Sequence, residues 1–174
     1  PEGLAEATAF LVDIPSPTGE EGPLARAVVE RLRGQGIEAS EQRLDERQSN
    51  AVARIAGSGG KPSLLLYAPT DTVTSNSAEE DLPWAGPELL PEMRAEAHIA
   101  DGFVSGLGAQ NPKGHGACAM VALHAIRQAG VPLAGDLLLG LGAGGMPTNA
   151  RPGMRADSGH GVGCAYMLDH GQRP

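Results

Sequence analysis

The chain has 174 residues, 41% hydrophobic and only 3% aromatic, with a formal net charge of −8 and a pI near 5.0. That size fits one domain or a portion of one, with a core of Ala, Val, Leu and Ile. The acidic balance, the lack of a basic stripe and the lack of any apolar run near the roughly 18 residues of a membrane span exclude nucleic-acid and membrane partners.

Residues 3–13 place Leu4, Ala7, Leu11 and Ile14 on one face and predict a short helix. Pro15 and Pro17 end it. Thr18 or Gly19 is the expected cap of a second helix, with Glu20 and Glu21 at the positive end of its dipole. Leu24, Val28, Val29 and Leu32 form its apolar stripe, and Gly34 and Gly36 stop it. Strands are predicted at 37–43, 51–55 and 63–67. The last is a continuous apolar run, as in a strand covered on both faces. Residues 74–97 read as a polar, proline-rich excursion around Trp84. Asp101-Gly102 is the turn of a hairpin over 98–104. A helix over 113–128 ends at Gly130, a buried strand spans 136–141, and a final helix covers 160–168. The order predicts an α/β fold with a mixed, largely parallel sheet sandwiched between helices.

Several segments carry a family signature in order. These are 11–21 with Ser16-Pro17-Thr18-Gly19-Glu20-Glu21, Asn50-Ala51-Val52-Ala53, and 64–73 with Pro69-Thr70-Asp71-Thr72-Val73. Asp101-Gly102 and then Gly106-Leu107-Gly108-Ala109-Gln110-Asn111-Pro112-Lys113-Gly114 follow. Together they resemble the zinc aminoacylase and carboxypeptidase family, which includes acetylornithine deacetylase, succinyl-diaminopimelate desuccinylase and glutamate carboxypeptidase. That family usually reads Gly-His-x-Asp-x-Val and Gly-x-Gly-Ala-x-Asp-x-Lys-Gly at the third and last of these segments. The resemblance implies a catalytic domain of which residues 1–174 are the N-terminal portion, without the lid or dimerisation domain and the C-terminal portion.

It also implies a dinuclear zinc centre, and at that centre this sequence departs from the pattern. Pro69 stands at the histidine ligand and Asn111 at the metal-bridging aspartate. The glutamate pair that supplies a general base and a ligand falls at Gly144 and Gly145. Asp71, which in the family orients the histidine ligand, is retained. The expectation is therefore a site without the usual zinc, and no other cofactor is indicated.

His115 lies beside the former bridging position. With Asp71 it forms a candidate general-base pair, and the competing reading is a histidine that only solvates a helix N-terminus. Lys113 and Asn111 are candidates to hold a substrate carbonyl or carboxylate. Gly144 and Gly145 would form the substrate-facing loop. Cys118, at the same helix start, reads more readily as a small core residue than as a nucleophile. Cys164, His160 and His170 do not have metal-ligand spacing. With two cysteines read as reduced thiols, a cytoplasmic location is expected. Gly140-x-Gly142-x-x-Gly145 follows a strand as dinucleotide loops do, but Pro147 and Pro152 make a poor helix start.

Two functions remain open. One is a divergent hydrolase acting on a small carboxylate-bearing amide; the other is a non-catalytic binding protein on the same scaffold. The expected partners are a small-molecule substrate and either the remaining C-terminal polypeptide or a second copy of the chain.

Overall fold

A computed structural model describes residues 3–74, 77–146 and 156–174. Its elements are α1 (Leu4–Val12), α2 (Gly22–Gly34), β1 (Glu38–Arg43), β2 (Ser49–Ile55), β3 (Leu64–Pro69) and α3 (Ala78–Ala85). After them come β4 (His98–Ala100), β5 (Phe103–Ser105), α4 (Lys113–Ala129), β6 (Leu137–Gly142) and α5 (Val162–Asp169). The main sheet runs β1-β2-β6-β3, and β4 with β5 forms a separate hairpin.

The main sheet is mixed, as expected, but its parallel share is smaller. Only β3 and β6 pair in parallel, whereas β1–β2 and β2–β6 are antiparallel. A parallel pair needs a long crossover, and α4 lies within it. Ala51, Ala53, Ala68, Leu137, Leu139 and Leu141 face α1, α2 and α4 and build the main core. On the other face, Gly140 and Gly142 of β6 carry no side chain. Met167 of α5 fills the space over Gly140, and the Tyr67 ring fills that over Gly142. The glycines thus let a helix and an aromatic ring lie close on the strand. Helices cover both faces, as the sequence pattern required.

Local chemistry sets the boundaries. Pro23 opens α2, where its missing N–H costs nothing. Gly130 ends α4 in the left-handed conformation at φ 61°. Gly116 of α4 leaves room for Leu11 and Leu141, so α1, α4 and β6 meet closely.

Three expectations need correction. The N-cap of α2 is Glu21 rather than Thr18 or Gly19, because the hydroxyl of Thr18 is drawn into a bond with Asp71. The excursion at 74–97 contains the two-turn helix α3 and a 3-10 turn at Pro91–Met93. Trp84 belongs to α3, and its side chain lies outside the described residues. Strand β3 is an edge strand, with Leu64 59% and Tyr67 37% exposed, so its apolar run does not signal cover on both faces. By contrast β6 is buried at every position, as read from the sequence. The expectation that no helix opens after Gly145 falls on 147–155, outside the described residues.

Candidate active site at the carboxyl ends of β3 and β6

Loops at the carboxyl ends of parallel strands converge in space, and ligand sites of α/β proteins form there. Here β3 and β6 end side by side, with Pro69 opposite Gly142. The backbone N–H and the hydroxyl of Thr70 both donate to the Gly142 carbonyl, at 2.9 and 3.1 Å. Asp71 follows, wholly buried. Its Oδ1 accepts from the Gly145 N–H at 2.8 Å, and its Oδ2 accepts from the Met146 N–H and the Thr18 hydroxyl, both at 2.8 Å. A buried carboxylate held by this many donors stays in place and fixes what donates to it. Asp71 therefore clamps the chain after β6 and ties it to the Ser16–Thr18 turn. That turn is further held by Thr18 N–H to Thr72 O and Thr72 N–H to Ser16 O.

A second buried carboxylate holds the same loop, and its sign in the sequence is a Glu-Glu pair at a helix start. Glu21 is fully buried. Its Oε1 accepts from the N–H groups of Gly19 (3.1 Å) and Gly144 (2.9 Å). Its Oε2 accepts from Gln48 Nε2 at 3.2 Å, and the same Nε2 donates to the Ser158 carbonyl at 2.7 Å. Burial pushes the Glu21 carboxyl up to about 7; the N–H donors oppose this and the nearby Asp71 charge adds to it. Gly144, Gly145 and Met146 thus donate three successive N–H groups to two carboxylates.

Glycine is required at both loop positions. Gly144 sits at φ 62°, and a Cβ there would collide with the Ser158 carbonyl. A Cβ on Gly145 would collide with the Pro69 ring and stand 3.1 Å from Asp71 Oδ1. Residues 158–161 run back along the loop, with Gly161 N–H to Gly144 O at 2.6 Å and His160 N–H to Met146 O at 3.0 Å.

The 106–116 segment approaches from another side. Gly108 lies against the Lys113 stem and the Thr72 methyl. Lys113 is buried, and its Nζ donates to the Ile14 carbonyl just past α1 at 2.7 Å. Burial lowers its ammonium to about 8, partly offset by Asp13. Asn111 is exposed and precedes a cis peptide bond to Pro112.

The structure therefore brings Asp71, Gly144 and Gly145 together and places Lys113 against the same turn. It does not pair His115 with Asp71. His115 is exposed in the first turn of α4, and among the described residues no hydrogen bond joins the two. The bonds of Asp71 go to the loop and to Thr18 instead. Cys118 is exposed rather than in the core, and Cys164 is half-buried. His170 stacks on Tyr166 at 3.7 Å between ring centroids, as a surface residue. Two open grooves, of about 450 and 490 Å³, are lined by neither Asp71 nor His115; the second borders the Pro17–Glu20 turn.

The positions at which the sequence resemblance would place zinc ligands do not offer them. Pro69 has no donor, Gly144 and Gly145 have no side chains, and Gly145 is packed against Pro69 with no space between them for a ligand side chain. Zinc sites take His, Cys, Asp or Glu. Among the described residues no three of these form a group able to hold an ion. Residues 147–155 contain none of the four types.

No family model matches the sequence. Among solved structures, the chain is similar to a tripeptidase from Staphylococcus aureus subsp. aureus Mu50, with TM-score 0.59 and 21% identity over 82% of this chain and 36% of that one. It is also similar to the M20 family metallo-carboxypeptidase Sso-CP2 from Sulfolobus solfataricus (TM-score 0.60, 20% identity, 81% and 30% covered). A third is human carnosine dipeptidase 1 (TM-score 0.57, 18% identity, 79% and 31% covered). The chain thus has the fold found in M20 peptidases, and it spans about a third of the length of these three proteins. No helix among the described residues is long and apolar enough to cross a membrane.

Proposed function

We propose that this chain is part of a divergent amide hydrolase that keeps the M20 peptidase fold and works without the dinuclear zinc centre or another cofactor. The substrate is a small amide bearing a carboxylate, met at the carboxyl ends of β3 and β6. His115 takes a proton from the attacking water, the scissile C–N bond breaks, and the proton passes to the leaving amine. The Asn111 amide holds the substrate carbonyl. Lys113 fixes the 106–113 segment against α1, and Asp71 holds the Gly144–Met146 loop as one wall of the site. In this reading residues 1–174 are the N-terminal portion of the catalytic domain. The lid or dimerisation domain lies on the remaining polypeptide or is replaced by contact with a second copy, and the protein works in the cytoplasm.

The observation that carries the reading is the Asp71–Gly145–Pro69 packing. It fills the place of a metal-binding pair with protein while leaving the strand-end architecture of a peptidase intact. A specific observation also favours a second reading, a non-catalytic binding protein on this scaffold. Both oxygens of Asp71 serve the loop, so Asp71 does not orient His115.

The test combines elemental analysis with hydrolysis of N-acyl amino acids and dipeptides, with and without chelator, for wild type and His115→Ala. Chelator-resistant turnover that falls at least tenfold in His115→Ala supports the first reading. Calorimetric binding of the same amides without turnover supports the second. Near-stoichiometric zinc with chelator-sensitive turnover overturns the metal-free site.

A further inference from the structure

We propose that Glu21 and Gln48 form a proton-linked switch that positions the Gly144–Met146 loop: Glu21 Oε2 takes and keeps a proton, and the Gln48 carboxamide turns over to accept the hydrogen bond of that O–H. The inference rests on the site reading only in taking this loop as a wall of the site, and it requires no turnover.

The two oxygens of Glu21 are held unequally: the Gln48 Nε2 lies 3.5 Å from Oε1 and 3.2 Å from Oε2. Oε1 accepts from backbone N–H groups of Gly19 and Gly144 and remains an acceptor in either protonation state. Oε2 accepts from the Gln48 Nε2 at 3.2 Å, the shorter of that group's two contacts with the carboxyl. That donor suits a carboxylate but opposes an O–H group. Gln48 is itself fully buried, and its own Oε1 has no hydrogen-bond partner among the described residues. A buried carbonyl oxygen without a donor is costly. Rotation of the carboxamide by half a turn lets Oε1 accept the Glu21 O–H, and it sets that oxygen against the Ser158 carbonyl in place of Nε2.

The same rotation withdraws Nε2 from the Ser158 carbonyl. Ser158 packs on Gly144, and the residues after it bond to Gly144 and Met146. A proton from solvent on one oxygen is thus read out as a hydrogen bond made or lost on the segment beside the loop. Burial places this exchange near neutral pH, since it holds the carboxyl at about 7. The charged and titratable groups around it are Asp71 on the β3 side, the Arg47–Glu20 pair at the α2 start, and His160 beyond Ser158.

The test is an NMR titration of the wild-type chain from about pH 5.5 to 8.5. It follows the Glu21 side-chain carboxyl carbon, the Gln48 side-chain amide, and the backbone amides of Gly144 and Gly159. A single midpoint near 7 at all four groups is expected, with its loss at Gln48, Gly144 and Gly159 in Glu21→Gln. The proposal is overturned if the Glu21 carbon titrates below pH 5.5, or if Gln48 and Gly159 do not follow it. It is also overturned if the shifts at Gly144 and Gly159 vanish in His160→Asn instead; asparagine tolerates the left-handed backbone at that position, φ 57°. The wild-type carboxyl measurement decides the matter even if Glu21→Gln does not fold.

Discussion

Gly145 is packed against Pro69 so closely that its Cα hydrogen occupies the only space a side chain would need. Cores filled to this degree resist added atoms, and overpacking costs about 1–3 kcal/mol. Gly145→Ala is expected to lower stability by that amount. Pro69→Gly should recover part of the loss when combined with it, and not when introduced alone. Urea denaturation of the two single variants and the double variant forms a cycle. Additive losses would show that the two residues do not share the space.

Asp71→Asn separates a clamp from a catalytic group. The amide offers one acceptor where the carboxylate offers two, and its NH2 would face a backbone N–H. Losing a charge-assisted bond in a buried place costs about 2–3 kcal/mol. The expected outcome is a lower denaturation midpoint at unchanged slope. Hydrogen exchange should quicken at the Gly145 and Met146 amides. A variant as stable as wild type would show that the loop is held by other contacts.

Two of the buried ionisable groups, Glu21 and Lys113, give opposite pH slopes. Glu21 has its carboxyl raised from 4.5 to about 7, so the folded state holds the proton more tightly than the unfolded chain. Its contribution is fully present below about 4.5 and is lost as pH rises to about 7, a change of about 3 kcal/mol. Lys113 is lowered from 10.5 to about 8, so the folded state releases its proton first and stability rises with pH between those values. Denaturation midpoints against pH should flatten below 7 in Glu21→Gln and above 8 in Lys113→Met. An unchanged lower limb in Glu21→Gln would assign that slope to another group.

Much of this architecture is legible in the residues. The period of Leu24, Val28 and Leu32 and the unbroken Leu137–Leu141 run defined α2 and β6, because buried faces leave a pattern whatever surrounds them. The nearness of Asp71 to Gly144 and Gly145 was implied by the family resemblance alone, which puts all three at one site. What escaped was the partner of each polar group. Asp71 and His115 are close in motif order, but the carboxylate is consumed by backbone donors, and backbone donors leave no sequence signature. Glu21 looked like a helix-start acid for the same reason. The apolar run at 63–67 misled because neither periodicity nor composition distinguishes an inner strand from an edge.

That edge gives a further expectation. The N–H groups of Leu64 and Thr70 point to β6, so the strand's alternation turns the backbone groups of Leu65 and Tyr67 outward. No strand among the described residues pairs with them. The opposite edge, β1, carries Glu38, Glu41 and Arg43, charges that discourage pairing with another chain. The β3 edge has no charge, and Leu64 is 59% exposed. Isolated residues 1–174 should therefore self-associate with rising concentration in sedimentation velocity. Leu64→Lys should suppress this while shifting stability by no more than about 0.5 kcal/mol, as for other exposed substitutions. Equal association of both proteins would move the contact to another surface. Loss of stability in Leu64→Lys would mean that the side chain is covered in solution.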